Sequence, residues 1–123
     1  MPQAMPLQEI RVIGVCSEKS KGEWEEIKKG QSMTRHSHGG SFLRIATVDI
    51  GYGHSGVAKM NSSQLKQYDS SIETDSSGIA FAFIKYWNAD GYNGGNFTYE
   101  NDTLTGTYCT KSTRLLIQSN KTI

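Results

Sequence analysis

The sequence predicts a mostly β protein: a small antiparallel sandwich or barrel of about six or seven strands with one or two short helical turns. Three observations lead there. Gly, Ser, Thr and Asn crowd the chain, while Ala and Leu, the strongest helix formers, are sparse. Short runs rich in β-branched and aromatic residues recur between clusters of turn-forming residues. Proline stands only at positions 2 and 6, so no run loses a ladder hydrogen bond to it.

Taken in chain order, Leu7 to Cys16 (LQEIRVIGVC) alternates in character and reads as the first strand. Ser20-Lys21-Gly22-Glu23 has the spacing of a capping box, with Trp24 and Ile27 three apart and Gly30 where a helix would stop. A short helix or a twisted strand fits equally well there. Ser41 to Ile50 (SFLRIATVDI) is a second strand, and Gly51-Tyr52-Gly53-His54-Ser55-Gly56 offers a reversal into Val57 to Met60, the pattern of a hairpin. Asn61-Ser62-Ser63 can cap one helical turn carrying Leu65 and Tyr68, and the polar stretch Asp69 to Ser77 reads as a loop.

Gly78 to Asn88 (GIAFAFIKYWN) is the strongest strand. Ile79, Phe81, Phe83, Lys85 and Trp87 lie on one face, and Ala80, Ala82, Ile84 and Tyr86 on the other. Apolar residues on both faces place it centrally in a sheet. Ala89 to Gly95 is turn chemistry, Phe97 to Tyr99 a further strand, and Asn101-Asp102 the next turn. Thr103 to Thr110 and Thr113 to Gln118 complete the set.

A chain of 123 residues fits one domain, here residues 7–123 behind a flexible N-terminal segment, residues 1–6. That segment has neither the charged start nor the apolar run of a signal peptide. With 36% hydrophobic and 20% charged residues the chain can build a modest core. A net charge of +1 without a basic stripe argues against nucleic acid as a partner, and no run approaches the roughly 20 apolar residues of a transmembrane segment. The two cysteines, Cys16 and Cys109, sit near opposite ends of the domain. A disulfide between them would remove about 4–5 kcal/mol of unfolded-state entropy and would suit a secreted, extracellular protein; two free thiols are the alternative.

Chemistry concentrates in two places. His36 and His38, two apart, would point the same way on a strand, and His54 follows sixteen residues on, so the three could hold zinc or another divalent metal. The stretch from Gly30 to His38 resembles the first cupin motif, which implies a metal held inside a β-barrel. Phe42 and Leu43 stand near where that motif has its glutamate, and the second cupin motif is missing. His54 with Asp49 and a serine suggests a nucleophilic triad, but no nucleophile elbow accompanies them, and Asp49 reads as a carboxylate serving backbone donors at the hairpin. The second place is Tyr86, Trp87, Asn88, Asp90, Tyr92 and Asn93. Aromatic faces stack on sugar rings while Asn and Asp bind hydroxyls, so this segment is a candidate glycan platform; the plainer reading is that Trp87 is core and the rest a turn.

His38-Gly39-Gly40 before a strand and Gly51-Tyr52-Gly53 after it resemble a group of small exported proteins of bacilli and related bacteria, grouped only as a domain of unknown function, over residues 7 to 118. The resemblance implies export and a bacterial source and transfers no catalytic residue. The leading expectation is a secreted binding or effector domain acting on a glycan, a cell surface or another protein, without enzymatic activity. A metal-binding β protein or metalloenzyme using the three histidines is the second reading, and a toxin-like protein acting on membranes or host cells the third.

Overall fold

The computed structural model describes residues 5–119, which form strands, turns and loops with no helix among them. The strands are β1 (Glu9–Ser17), β2 (Glu25–Glu26), β3 (Leu43–Ile50), β4 (Val57–Met60), β5 (Ser63–Gln64), β6 (Lys66–Thr74), β7 (Ala80–Asn88), β8 (Gly95–Asp102) and β9 (Thr110–Ile117). They make two antiparallel sheets, in the orders β2-β1-β3-β7-β6 and β5-β4-β8-β9, packed as an open sandwich rather than a closed barrel.

Period-two alternation sets the faces. On β3, Leu43, Ile45, Thr47 and Asp49 point inwards and are buried, and the register brings Trp87, Lys85 and Phe83 of β7 to the same side. On β1 a bulge at Ile13 resets the alternation, so that Val12 and Val15 both face in. Phe97 and Tyr99 of β8 with Leu115 and Ile117 of β9 meet them from the other sheet. Burial of each such side chain stabilises the fold by roughly 1.5–3 kcal/mol. Met5 and Pro6, within the expected flexible lead, are tied to Tyr52, while residues 1–4 lie outside the described part.

Several expectations are corrected. Gly51 to Gly56 is no hairpin, because β3 and β4 belong to different sheets and the segment carries the chain across; Val57 pairs with Glu100 of β8 instead. Gly51, at φ +96°, runs so close to the carbonyl of Pro6 that a Cβ would overlap it. The two stretches read as helical turns form none. Glu25 and Ile27 are both buried, as alternation along an extended chain allows, and Asn61-Ser62, both at positive φ, makes the two-residue hairpin joining β4 to β5. The polar loop Asp69 to Ser77 is in large part β6, an edge strand exposed on both sides, so its pairing with β7 leaves no apolar alternation to read. Between Thr103 and Cys109 there is loop rather than strand, folded by Thr103 Oγ1 onto the Thr105 carbonyl.

The expected disulfide is absent, since Cys16 and Cys109 are both free. Cys16 pairs with Arg44 at the far end of β1, whereas Cys109 is bonded to Thr103, which holds Leu7 just before the near end. At about 3.3 Å per residue that strand separates the two ends by roughly 20–30 Å, well beyond the ~7 Å Cα reach of a disulfide. Burial pushes the Cys16 thiol up from its ordinary value, which makes it a poor nucleophile. A thiol-reactive dye should therefore label Cys109 alone in the native protein and both cysteines after denaturation without reductant. Failure of either thiol to react in denaturant would restore the bridge.

Candidate functional site

The face of the five-stranded sheet turned away from the sandwich carries a row of aromatic rings. Glu25 faces inwards beside Val15, so its neighbour Trp24 must face outwards, where the ring lies over Gly14, 3.0 Å from the place a Cβ would occupy. Tyr86 points outwards from β7 opposite Ala46, and its ring centroid is 6.0 Å from that of Trp24. Tyr68, the extra residue of a bulge in β6, continues the row 6.1 Å beyond Tyr86. Trp24 is 47% and Tyr68 42% exposed, so the rings rest on small residues without being covered.

Polar groups fringe the row. The Arg44 guanidinium lies 4.8 Å from the Tyr68 ring centroid and grips Asp90 in a two-point bond, with both contacts at 3.2 Å. That grip, together with the Leu43 amide, holds the Asp90 carboxyl below the usual range despite some burial. Arg11 and Glu9 form a second pair on β1, at 3.3 Å. These charges face solvent as neutralised pairs.

Two buried polar networks sit at opposite ends of β3. At the Leu43 end the His38 ring is wholly enclosed: Nε2 donates to Glu25 Oε1 at 3.0 Å, and Nδ1 accepts from the Ser17 hydroxyl at 3.0 Å. Glu25 also accepts from the amides of Arg35 (2.7 Å) and His36 (3.1 Å). Burial alone would raise the Glu25 pKa, but these donors and His38 outweigh it and hold the carboxyl below its ordinary value. Serine, histidine and carboxylate here have the connectivity of a hydrolytic triad, yet Ser17 has no solvent exposure, and the arrangement anchors the loop between β2 and β3.

At the Ile50 end, Asp49 accepts from Tyr99 Oη (2.6 Å), Asn101 Nδ2 (2.9 Å) and Lys85 Nζ (3.0 Å). Burial and the Asp49 charge drive the Tyr99 pKa far upwards, so this phenol stays a neutral donor. Lys85 and Asn101 also donate to the carbonyl of His54. Asp49 thus serves side chains and not hairpin amides, contrary to the reading from sequence.

The expected sites rearrange accordingly. His36 and His54 are exposed, and His54 lies a whole strand away from the enclosed His38, so the three do not converge; no metal-ligating cluster forms among the described residues. Trp87 is core, 3% exposed, donating to Thr47 Oγ1. Tyr92 packs against the core, Asn93 accepts from the Gly40 amide, and Asn88 accepts from the Asp90 amide, so these three serve the turn. Tyr86 alone of the expected aromatics reaches the open face, and Asp90 reaches it through Arg44. Trp24, Tyr68 and Arg44 went unread because they come from separate strands; the outward position of Tyr86 on β7 was the one available signal.

Among known proteins, a family model described as "Domain of unknown function (DUF4879)" matches residues 2–117. No curated protein matches the chain. The paired-glycine and Gly-Tyr-Gly positions behind the sequence resemblance fall at close approaches: Gly40 against the Glu18 side chain, and Gly51 against the Pro6 backbone.

Replacing His38 by Ala strands the Glu25 carboxylate and the Ser17 hydroxyl and should cost about 3 kcal/mol, read from denaturant unfolding. Because the folded pKa of Glu25 lies below its unfolded one, its ionised form contributes stability above about pH 4.5, and that contribution disappears as pH falls through the folded value. Glu25→Gln should therefore be much less stable than the native protein at pH 7 and should approach it at pH 3. A stability gap independent of pH would show that the carboxylate's charge is not what holds the loop.

Proposed function

Because the chain belongs to the DUF4879 family, a domain of unknown function, we propose its role from geometry: it binds neutral polysaccharide along the row Trp24, Tyr86 and Tyr68 on the open face of the five-stranded sheet. The observation that carries this reading is three part-exposed rings side by side, one just before β2 and the others on β7 and β6, with Gly14 beneath Trp24 and Ala46 opposite Tyr86. Sugar rings present flat C–H faces that stack on aromatic side chains, and their hydroxyls can accept from Arg44 and donate to the Asp90 carboxylate at the fringe. The two arginines of this face, Arg11 and Arg44, are already paired with Glu9 and Asp90, which disfavours an anionic ligand. An open row, its neighbouring rings tilted by 60° and 45°, suits successive sugars of an extended chain better than a single enclosed unit.

In this reading the protein is a binding domain rather than an enzyme, and it works outside the cell, where polysaccharide surfaces are met. Titration calorimetry against soluble glucans, mannans and N-acetylglucosamine oligomers is the direct test. Trp24→Ala and Tyr86→Ala should each weaken binding about tenfold or more. Tyr108→Ala, which removes an exposed tyrosine from the loop before β9, should leave it unchanged. Absence of binding to the whole panel, or equal binding by all three variants, would overturn the proposal.

A further inference from the structure

The four sheet edges are treated very differently. β2 and β5 are two-residue strands, and β9 is covered by the segment after β2, through Thr34 N to Leu116 O, Leu116 N to Ser32 O and His38 N to Gln118 O. Short or covered edges are how proteins prevent unwanted strand pairing. β6 has neither protection: it runs nine residues, every one exposed, with β7 on one side and, among the described residues, no strand on the other.

Its two faces differ in chemistry. The register with β7 turns Ile72 to the inner side, beyond the cover of the second sheet, where it is 60% exposed. Close by, Phe83, Tyr52 and Leu104 line an open pocket of ≈ 400 Å³, with Tyr52 edge-on to Phe83 at 4.9 Å and Leu104 53% exposed. On the outer side, past the bulge, the same strand presents Asp69, Ser71 and Glu73.

We infer that β6 is a docking edge for an extended polypeptide segment in which basic residues alternate with apolar ones. An added strand would gain main-chain hydrogen bonds along the edge, set its apolar side chains over Ile72 and the Tyr52–Phe83–Leu104 pocket, and lay its basic side chains against Asp69 and Glu73. A second copy of β6 is a poor occupant. The antiparallel self-pairing that matches faces over Asp69 to Glu73 centres on Ser71 and sets Asp69 opposite Glu73 twice, and like charges directly opposed are destabilising. This edge adjoins the aromatic row at Tyr68, but the docked strand needs neither Trp24 nor Tyr86, so loss of glycan binding and loss of peptide binding are told apart by the variants at those two rings.

The test is a titration of the ¹⁵N-labelled full chain with a terminally blocked eight-residue peptide alternating lysine and valine, with a glutamate and valine peptide beside it. Saturable shifts should appear at the β6 amides and at Tyr52, Phe83 and Leu104, and the glutamate peptide should bind about tenfold more weakly or worse. The double variant D69K/E73K, whose changes lie on the exposed edge, should reverse that order, and Ile72→Lys should remove binding of the lysine peptide. No shifts, equal response to both peptides, shifts confined to Trp24 and Tyr86, or sedimentation as a dimer through β6 would each overturn the inference.

Discussion

The inward carboxylate of Glu25 is the constraint on which the open face depends. A buried charge is tolerated only when its acceptor sites are filled, and Glu25 is filled by His38 and by the amides of Arg35 and His36, all from the loop that follows. Those bonds fix β2 in its register on β1. Strand alternation then leaves Trp24 one orientation, outwards over Gly14. The ring most exposed to solvent in the aromatic row is thus held by the most completely bonded carboxylate beneath it.

Asp49 plays the matching part at the other end of β3. Its partners come from β7 and β8, so one carboxylate joins both sheets, and Lys85 and Asn101 reach from it to the His54 carbonyl in the crossover between them. The sandwich has an apolar centre and a polar clasp at each end of its central strand. With Cys16 and Cys109 unpaired, these clasps do the work that a disulfide was expected to do, and export loses the support that the cysteine pair lent it.

Local pattern made much of the fold legible. β3, β4 and β7 are strongly β-branched or alternating, and β4 falls on Val57 to Met60 as read, while from Ala82 to Trp87 the two faces of β7 alternate as read; before Ala82 a register shift breaks the pattern. β6 was illegible because an edge strand exposed on both sides needs no apolar period, and its order comes from β7. The crossover after Ile50 looked like a hairpin because glycines permit a reversal without saying which sheet the next strand joins. The site was harder still. Its three rings lie at positions 24, 68 and 86, and only the sheet order β2-β1-β3-β7-β6 lines them up. His38 looked like a metal ligand because nothing nearby in sequence discloses that Glu25 and Ser17 will enclose it.

The bulge at Tyr68 links the open face to the free edge. Gln67 faces inwards opposite Trp87, so Tyr68 turns outwards into the ring row; the extra residue breaks the parity at the next position, where Asp69 stays outward opposite Tyr86 instead of turning in. Arg44 then has a ring to lie against, and Asp90 holds Arg44 there. Beyond the bulge the strand resumes its alternation with Asp69, Ser71 and Glu73 outwards and Ser70 and Ile72 inwards. One inserted residue therefore places Asp69 beside the aromatic row and sets the two-faced character of the edge that follows.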